Sequence, residues 1–126
     1  MINQLNAVKE FHTAFEIGYS ETPKADLGAT KNRLRYNLMK EENEEYLEAV
    51  NNNDLIEIAD ALGDMLYILC GTIIEHGLQD KIEAVFDEIQ RSNMSKLDSN
   101  GKPIYREDGK VMKGPNYFKP DFTKII

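Results

Sequence analysis

Carboxylates at helical spacing are the residues of this chain best suited to chemistry. Glu57, Asp60 and Asp64 stand at positions i, i+3 and i+7, which places them on one narrow line of a helix. The surrounding stretch, Leu55–Glu75, is so rich in Leu, Ile and Ala that we expect this helix to be buried. An unpaired buried carboxylate is costly, and residues 41–80 contain no Lys or Arg that could compensate it. Bound cations are therefore the expected counter-charge.

A second group of carboxylates precedes that line. Glu41, Glu42 and Glu45 fall, at 100° per residue, on the same third of a predicted helix as Leu34 and Ala49. This acidic segment therefore continues a stripe that begins and ends with apolar residues. The other glutamates of the segment are expected on the solvated side, and these are Glu44 and Glu48.

The predicted ligand set consists of oxygen atoms only. Such a set favours hard cations, with Mg²⁺ first and Mn²⁺ as the natural substitute. A zinc or di-iron site fits less well, because His12 and His76 lie outside the acidic segments. We expect His12 on a helix face, His76 at a helix C-terminus, and Cys70 as a buried thiol within an apolar run.

Two of these segments carry the motifs of a known superfamily. Residues 41–45, Glu-Glu-Asn-Glu-Glu, match the Glu-Glu-x-x-Glu motif of the all-α NTP pyrophosphohydrolases, and residues 57–60 match its Glu-x-x-Asp motif. This superfamily includes MazG, the dimeric dUTPases, the dCTP pyrophosphatases and the phosphoribosyl-ATP pyrophosphohydrolases. Residues 59–67 resemble the usual continuation of the second motif. The tail from Ser92 to Lys96 resembles a subgroup described as phosphoribosyl-ATP pyrophosphohydrolase-like.

The resemblance implies an activity and a site. The implied reaction is magnesium-dependent cleavage of a nucleoside triphosphate, or a closely related nucleotide, to a monophosphate and pyrophosphate, by attack on the α-phosphorus. Glu41 would be the base that orients the attacking water, and Asp64 would be an outer ligand or a partner of one. The implied magnesium ligands are Glu42, Glu45, Glu57 and Asp60. Two alternatives stay open: a true phosphoribosyl-ATP pyrophosphohydrolase of histidine biosynthesis, and a non-catalytic helical metal-binding or assembly module.

The elements that must position these residues are four helices. The apolar periodicity predicts them at Asn3–Ile17, about Thr30–Val50, Leu55–Glu75 and about Gln79–Arg91. Thr30 and Asp54 are the expected N-terminal caps of the second and third helices. Short loops favour an antiparallel, MazG-like four-helix bundle over residues 1–92. Residues 93–126 are rich in turn signals, and we expect an irregular arm of the same domain in which residues 104–106 and 110–112 pair as a short β-hairpin.

Charge is divided unevenly along the chain. The formal charge of −7 argues against a nucleic-acid polymer as partner. Residues 1–90 hold seven Lys/Arg and eighteen Asp/Glu, whereas residues 91–126 hold eight and four. Because the acidic body has little to hold the outer phosphates of a nucleotide, we expect Asn93 and Lys96 of the basic tail to bind them.

Two further expectations concern the setting of the protein. No stretch approaches the roughly 20 apolar residues of a spanning helix, so we expect a cytoplasmic protein without a membrane partner. The second predicted helix also carries apolar residues away from its acidic stripe. These residues are Tyr36, Met39, Tyr46 and Leu47. Together with the resemblance, they predict a homodimer or homotetramer.

Overall fold

The computed structural model describes all 126 residues and contains four α-helices. They are α1 (Ile2–Ala14), α2 (Ala29–Asn51), α3 (Leu55–Glu75) and α4 (Ile82–Met94). No sheet is present, which confirms the predicted all-α class. None of the four helices is both long and apolar enough to cross a membrane. The chain divides into two compact units, Met1–Asp80 and Lys81–Ile126.

In the first unit, α3 is the central helix, because it packs against both α1 and α2. The best buried side chains come from α1 and from the C-terminal half of α3, and they include Val8, Cys70 and Ile74. Cys70 is fully buried, which confirms the predicted burial of its thiol. His12 is also buried on α1, and its Nδ1 lies 2.9 Å from the carbonyl oxygen of Gly18.

One predicted helix cap is confirmed and another is wrong. The Asp54 side chain accepts a hydrogen bond from the Glu57 N–H at 3.1 Å, so Asp54 caps α3 as expected. Thr30 does not cap α2, since it lies inside the helix and Gly28 occupies the N-cap position. The reason is the preceding turn, in which the Asp26 side chain accepts a hydrogen bond from the Gly28 N–H at 2.8 Å. Because of this turn, the helix begins before Thr30, at Ala29.

The first helix ends three residues earlier than predicted. The N–H groups of Ile17 and Gly18 both donate to the carbonyl oxygen of His12, at 2.8 and 3.3 Å. This closing turn places Glu16 at a φ of 58° and Gly18 at 86°, in the left-handed region. The apolar spacing that continues to Ile17 therefore belongs to the turn and not to the helix.

The expectation that α3 is buried on most of its surface is wrong. α1 and α2 cover only part of this helix, and Leu55 and Ile56 near its start are 77% and 80% exposed. Four leucines on one face of α3, separated in turn by seven, four and three residues, also remain exposed. We call these the exposed leucines of α3, namely Leu55, Leu62, Leu66 and Leu69.

In the second unit, the arm folds back on α4. The Ser92 hydroxyl donates to the carbonyl oxygen of Phe118 at 2.8 Å, and the Arg91 guanidinium lies 4.4 Å from the centre of the Phe118 ring. The Asp121 N–H donates to Glu88 at 3.0 Å. α4 begins three residues later than predicted, because residues 79–81 form a turn before it.

The predicted hairpin of the arm is present in its shortest form. Tyr105 and Val111 form a single antiparallel bridge. The Arg106 N–H donates to the carbonyl oxygen of Lys110 at 2.8 Å, and the Met112 N–H to that of Ile104 at 2.7 Å. Residues 101–113 are exposed throughout, so this hairpin is a surface feature.

Candidate active site

The turn between α2 and α3 places two acidic helix faces side by side. Only residues 52–54 separate the helices, and Asn53 adopts a left-handed φ of 52°, a conformation that asparagine tolerates better than most residues. So short a connection forces the two helices to run antiparallel. The C-terminal half of α2 therefore lies beside the N-terminal half of α3, where the two predicted motifs reside.

Three carboxylates from the two helices converge. One carboxylate oxygen from each of Glu42, Glu45 and Asp64 lies within 4.8 Å of the others. Glu42 is half-buried, and its Oε2 is enclosed by protein without any hydrogen-bond partner. We call these three residues the carboxylate cluster.

The position of Glu42 raises the pKa of its carboxyl group to about 7. Burial is the largest cause, because it disfavours the charged form. A hydrogen bond to Glu45 and the negative charges of Glu45, Asp64 and Asp60 act in the same direction. In the absence of a cation, this cluster therefore retains a proton near neutral pH.

An open groove of about 400 Å³ lies at the same end of α2 and α3. Glu45 belongs both to the groove and to the carboxylate cluster, so the two features adjoin. Glu57 and Asp60 line the groove from α3, and Glu48 lines it from α2. Glu48 is exposed, as expected of a solvated residue, yet the sequence did not place it beside the predicted ligands.

The remaining predicted residues are not among those that line this groove. Glu41 is exposed on α2 and belongs neither to the carboxylate cluster nor to the groove lining. Asn93 and Lys96 belong to the second unit, where Asn93 is exposed in the last turn of α4 and Lys96 is half-buried just after it. The Lys96 N–H donates to the carbonyl oxygen of Asn93 at 3.1 Å.

The residues of the cluster fit a divalent cation. A metal ligand needs a free lone pair, and the enclosed Oε2 of Glu42 offers one that no protein donor uses. The donors are carboxylate oxygens without nitrogen or sulfur, which is the set that Mg²⁺ and Mn²⁺ prefer. The acidic groove beside them offers further oxygen ligands at Glu57 and Asp60.

A buried ionic network at the opposite end of the same helix pair was not predicted. The Glu75 carboxylate is 1% exposed and lies 2.7 Å from Lys31 Nζ and 3.3 Å from Arg35 Nε. Arg35 also donates to the Thr72 hydroxyl at 3.0 Å and to the carbonyl oxygen of Ile68 at 2.8 Å. Burial lowers the pKa of the Arg35 guanidinium, and the charge of Glu75 opposes that effect. The sequence offered one signal for this network: Lys31 and Arg35 lie one turn apart on the same stripe of the second predicted helix as Glu42.

Comparison with known proteins gives the context of this site. The family model described as phosphoribosyl-ATP pyrophosphohydrolase (PRA-PH) matches residues 8–93. The uncharacterized protein L479 of Acanthamoeba polyphaga mimivirus is 37% identical over an alignment of 84 positions, which covers 64% of this chain and 34% of that protein. This chain therefore spans about a third of that relative.

Among solved structures, one described as a "putative NTP pyrophosphohydrolase" from Exiguobacterium sp. 255-15 is 26% identical. The similarity covers 94% of this chain and 89% of that one, with a TM-score of 0.49. The family match includes α2 and α3 with both acidic motifs, and it extends over more than half of the sequence. The chain belongs to the phosphoribosyl-ATP pyrophosphohydrolase family of the all-α, MazG-like NTP pyrophosphohydrolases.

Proposed function

We propose that this protein is a Mg²⁺-dependent nucleotide pyrophosphohydrolase that cleaves a nucleoside triphosphate, or a closely related nucleotide, to the monophosphate and pyrophosphate. The observation that carries the proposal is the convergence of Glu42, Glu45 and Asp64 within 4.8 Å, beside a groove that also presents Glu57 and Asp60. Membership of the PRA-PH family supports the same activity.

The five carboxylates have the chemistry to hold the ion and its substrate. Glu42, Glu45 and Asp64 would bind Mg²⁺, or Mn²⁺ in its place, and Glu57 and Asp60 would supply ligands from the groove. A bound ion would offset the negative charge of the groove, polarise the phosphoryl oxygens and lower the pKa of the attacking water. Glu42 would release its proton when it becomes a ligand, because ligating carboxylates are ionised.

The hydrolytic step requires a base and a water molecule. We assign the base to Glu41, an exposed carboxylate adjacent in sequence to Glu42, on its position in the motif. Glu41 would accept a proton from the water as the water oxygen bonds to the α-phosphorus. The bond from the α-phosphorus to the bridging oxygen then breaks, and pyrophosphate leaves with the electron pair.

Positive charge for the outer phosphates is scarce in the first unit. Residues 1–80 hold six Lys/Arg against fifteen Asp/Glu, and two of the six, Lys31 and Arg35, are already paired with Glu75. Asn93 and Lys96 are therefore our assignment for the groups that bind the outer phosphates. The amide and ammonium groups of these side chains are donors suited to phosphate oxygens.

The test is a substrate panel assayed for both products. Purified protein is incubated with ribonucleoside and deoxyribonucleoside triphosphates, with Mg²⁺, with Mn²⁺ or with EDTA, and monophosphate and pyrophosphate are measured. We expect metal-dependent release of both products in equal amounts from at least one nucleotide. Glu45→Gln should lose nearly all turnover, whereas Glu44→Gln, an exposed neighbour on α2 outside the cluster, should keep it.

The family match favours one further candidate substrate, phosphoribosyl-ATP, which belongs in the same panel. A preference for it over all triphosphates would assign the chain to histidine biosynthesis. Binding of Mg²⁺ without release of either product from any substrate would overturn the proposed activity and favour a non-catalytic metal-binding module.

A further inference from the structure

A second cavity lies at the other end of the α2–α3 pair. Its volume is about 210 Å³, and its lining includes Tyr19, Ser20, Lys24, Lys31 and Glu75. It shares no lining residue with the acidic groove. Because whole drug-sized ligands occupy cavities of roughly 300–1,000 Å³, a cavity of this size suits one ring system and not a complete nucleotide.

The carboxylate of Glu75 in this cavity has balanced charge but unused hydrogen-bonding capacity. Glu75 is 3% exposed, and Lys31 and Arg35 lie within ion-pair distance of its two oxygens. Lys31 Nζ lies 2.7 Å from one oxygen and Arg35 Nε 3.3 Å from the other, but neither contact has the angles of a hydrogen bond, so no protein donor is directed at a lone pair of this carboxylate. A carboxylate has about four lone-pair sites, and leaving them unfilled when buried costs free energy. A ligand with two adjacent N–H donors would fill them.

The two cations beside Glu75 differ in how firmly they are held. Arg35 is buried and is fixed by hydrogen bonds to Thr72 and Ile68. The Lys31 side chain is 37% exposed, and its Nζ also donates to the carbonyl oxygen of Ile17 at 3.0 Å. Lys31 therefore covers the carboxylate from the open side with a long, flexible side chain that can shift when a ligand enters.

We propose that this cavity binds a guanine base. The N1–H and the 2-amino group of guanine would donate to the two oxygens of Glu75, and the 6-oxo group would accept from the ammonium of Lys31 once it shifts. Adenine and cytosine present only one amino donor beside a ring acceptor, so each leaves one oxygen of Glu75 without a partner. Tyr19, which also lines the cavity, supplies an aromatic ring on which a base can stack.

The separation of this cavity from the carboxylate cluster along α3 is compatible with one nucleotide that reaches both. Glu75 follows Asp64 by eleven residues on α3, which corresponds to roughly 16 Å of helix rise. The sugar and α-phosphate of an extended nucleotide can bridge a span of that order. As a substrate preference, the inference rests on the proposed function, but binding of the free nucleoside is tested without hydrolysis.

The experiment is isothermal titration of the whole 126-residue chain with nucleosides in EDTA, so that neither phosphate nor metal contributes to binding. Guanosine should bind about ten-fold or more tightly than inosine, which lacks only the 2-amino group, and than adenosine. Glu75→Gln should reduce the affinity for guanosine to the affinity that the wild-type protein has for inosine. Lys40→Met replaces an exposed lysine of α2 that lies outside the cavity, and it should leave binding unchanged. It is the control for the substitution of Lys31 described next.

A second variant covers the case in which Glu75→Gln fails to fold by circular dichroism. Lys31→Met should weaken guanosine and inosine about equally, because both bases carry the 6-oxo group, and should leave the ratio of their two affinities unchanged. Equal binding of guanosine and inosine by the wild type would overturn the inference, as would absence of guanosine binding at millimolar concentration. Guanosine binding by a protein that hydrolyses no nucleotide would support this site and overturn the proposed function alone.

Discussion

Glu42→Gln tests the electrostatic state of the carboxylate cluster through protein stability. In the metal-free protein, burial and the neighbouring carboxylates raise the pKa of Glu42 from its ordinary 4.5 to about 7. The folded protein therefore holds this proton more tightly than the unfolded chain does. The stability contributed by that proton is fully present below about pH 4.5 and is lost as the pH rises through about 7.

The size of this effect follows from the rise in pKa. A rise from 4.5 to about 7 corresponds to about 3 kcal/mol if nothing screens it. Glu42 is only half-buried, so solvent screens the repulsion, and we expect about 1–2 kcal/mol to be lost between pH 5 and pH 8. For a chain of 126 residues, that loss lowers the melting temperature by roughly 4–8 °C.

Thermal unfolding followed by circular dichroism in EDTA, at pH 5 and pH 8, measures this loss. Glu42→Gln should lose about 1–2 kcal/mol less than the wild type over that range. Glu44→Gln removes an exposed carboxylate from the same helix and should behave as the wild type. Saturating Mg²⁺ at pH 8 should stabilise the wild type more than Glu42→Gln. The same pH dependence in all three proteins would refute the assignment of the raised pKa to Glu42.

Three other predictions concern packing, phosphate binding and assembly. Gly71→Ala should destabilise by about 1–3 kcal/mol in urea unfolding, because its Cβ would lie 2.6 Å from the fixed Arg35 guanidinium and 2.8 Å from the buried His12 ring. Gly63→Ala on the same helix has open space and should stabilise by about 0.5–1 kcal/mol; equal effects would contradict the packing. Lys96→Ala should raise KM or lower turnover without changing Mg²⁺ affinity in the absence of substrate, and unaltered kinetics would exclude its phosphate role. The exposed leucines of α3 should lie in a subunit interface, so light scattering should give a dimer or tetramer, and a 14.4 kDa monomer at micromolar concentration would contradict it.

The sequence predicts the elements of this fold better than their ends. The 3.6-residue periodicity identifies all four helices because each carries an apolar face, and Asp54 marks the start of α3 through a local hydrogen bond. The ends of α1 and α4 were wrong by about three residues. At the end of α1, the turn hydrogen bonds to His12 override a spacing that would continue the helix.

Of the two groups of charged residues on α2 and α3, the sequence predicts the first only in part and the second not at all. The motif resemblance names Glu42 and Glu45 as ligands and Asp64 as an outer ligand or a partner of one, whereas the structure brings these three together and leaves Glu57 and Asp60 on the adjoining groove. The network around Glu75 could not be grouped, because a single glutamate at a helix end carries no periodic signal. Lys31 precedes it by 44 residues, and the two meet only through the antiparallel register of α2 and α3.

Two acidic side chains on that helix pair differ in how their negative charge is balanced. Glu75 is the more deeply buried of the two, yet its charge is balanced by Lys31 and Arg35 from the start of α2. Glu42 lies two turns beyond Arg35 on the same helix, and residues 41–80 contain no Lys or Arg that could serve it. A carboxylate in that position must either retain a proton, as the raised pKa of Glu42 indicates, or bind a cation from solution. Proton and cation therefore compete for one group, so the affinity for Mg²⁺ should weaken as the pH falls below about 7, and a pH-independent affinity would show that Glu42 is not a ligand.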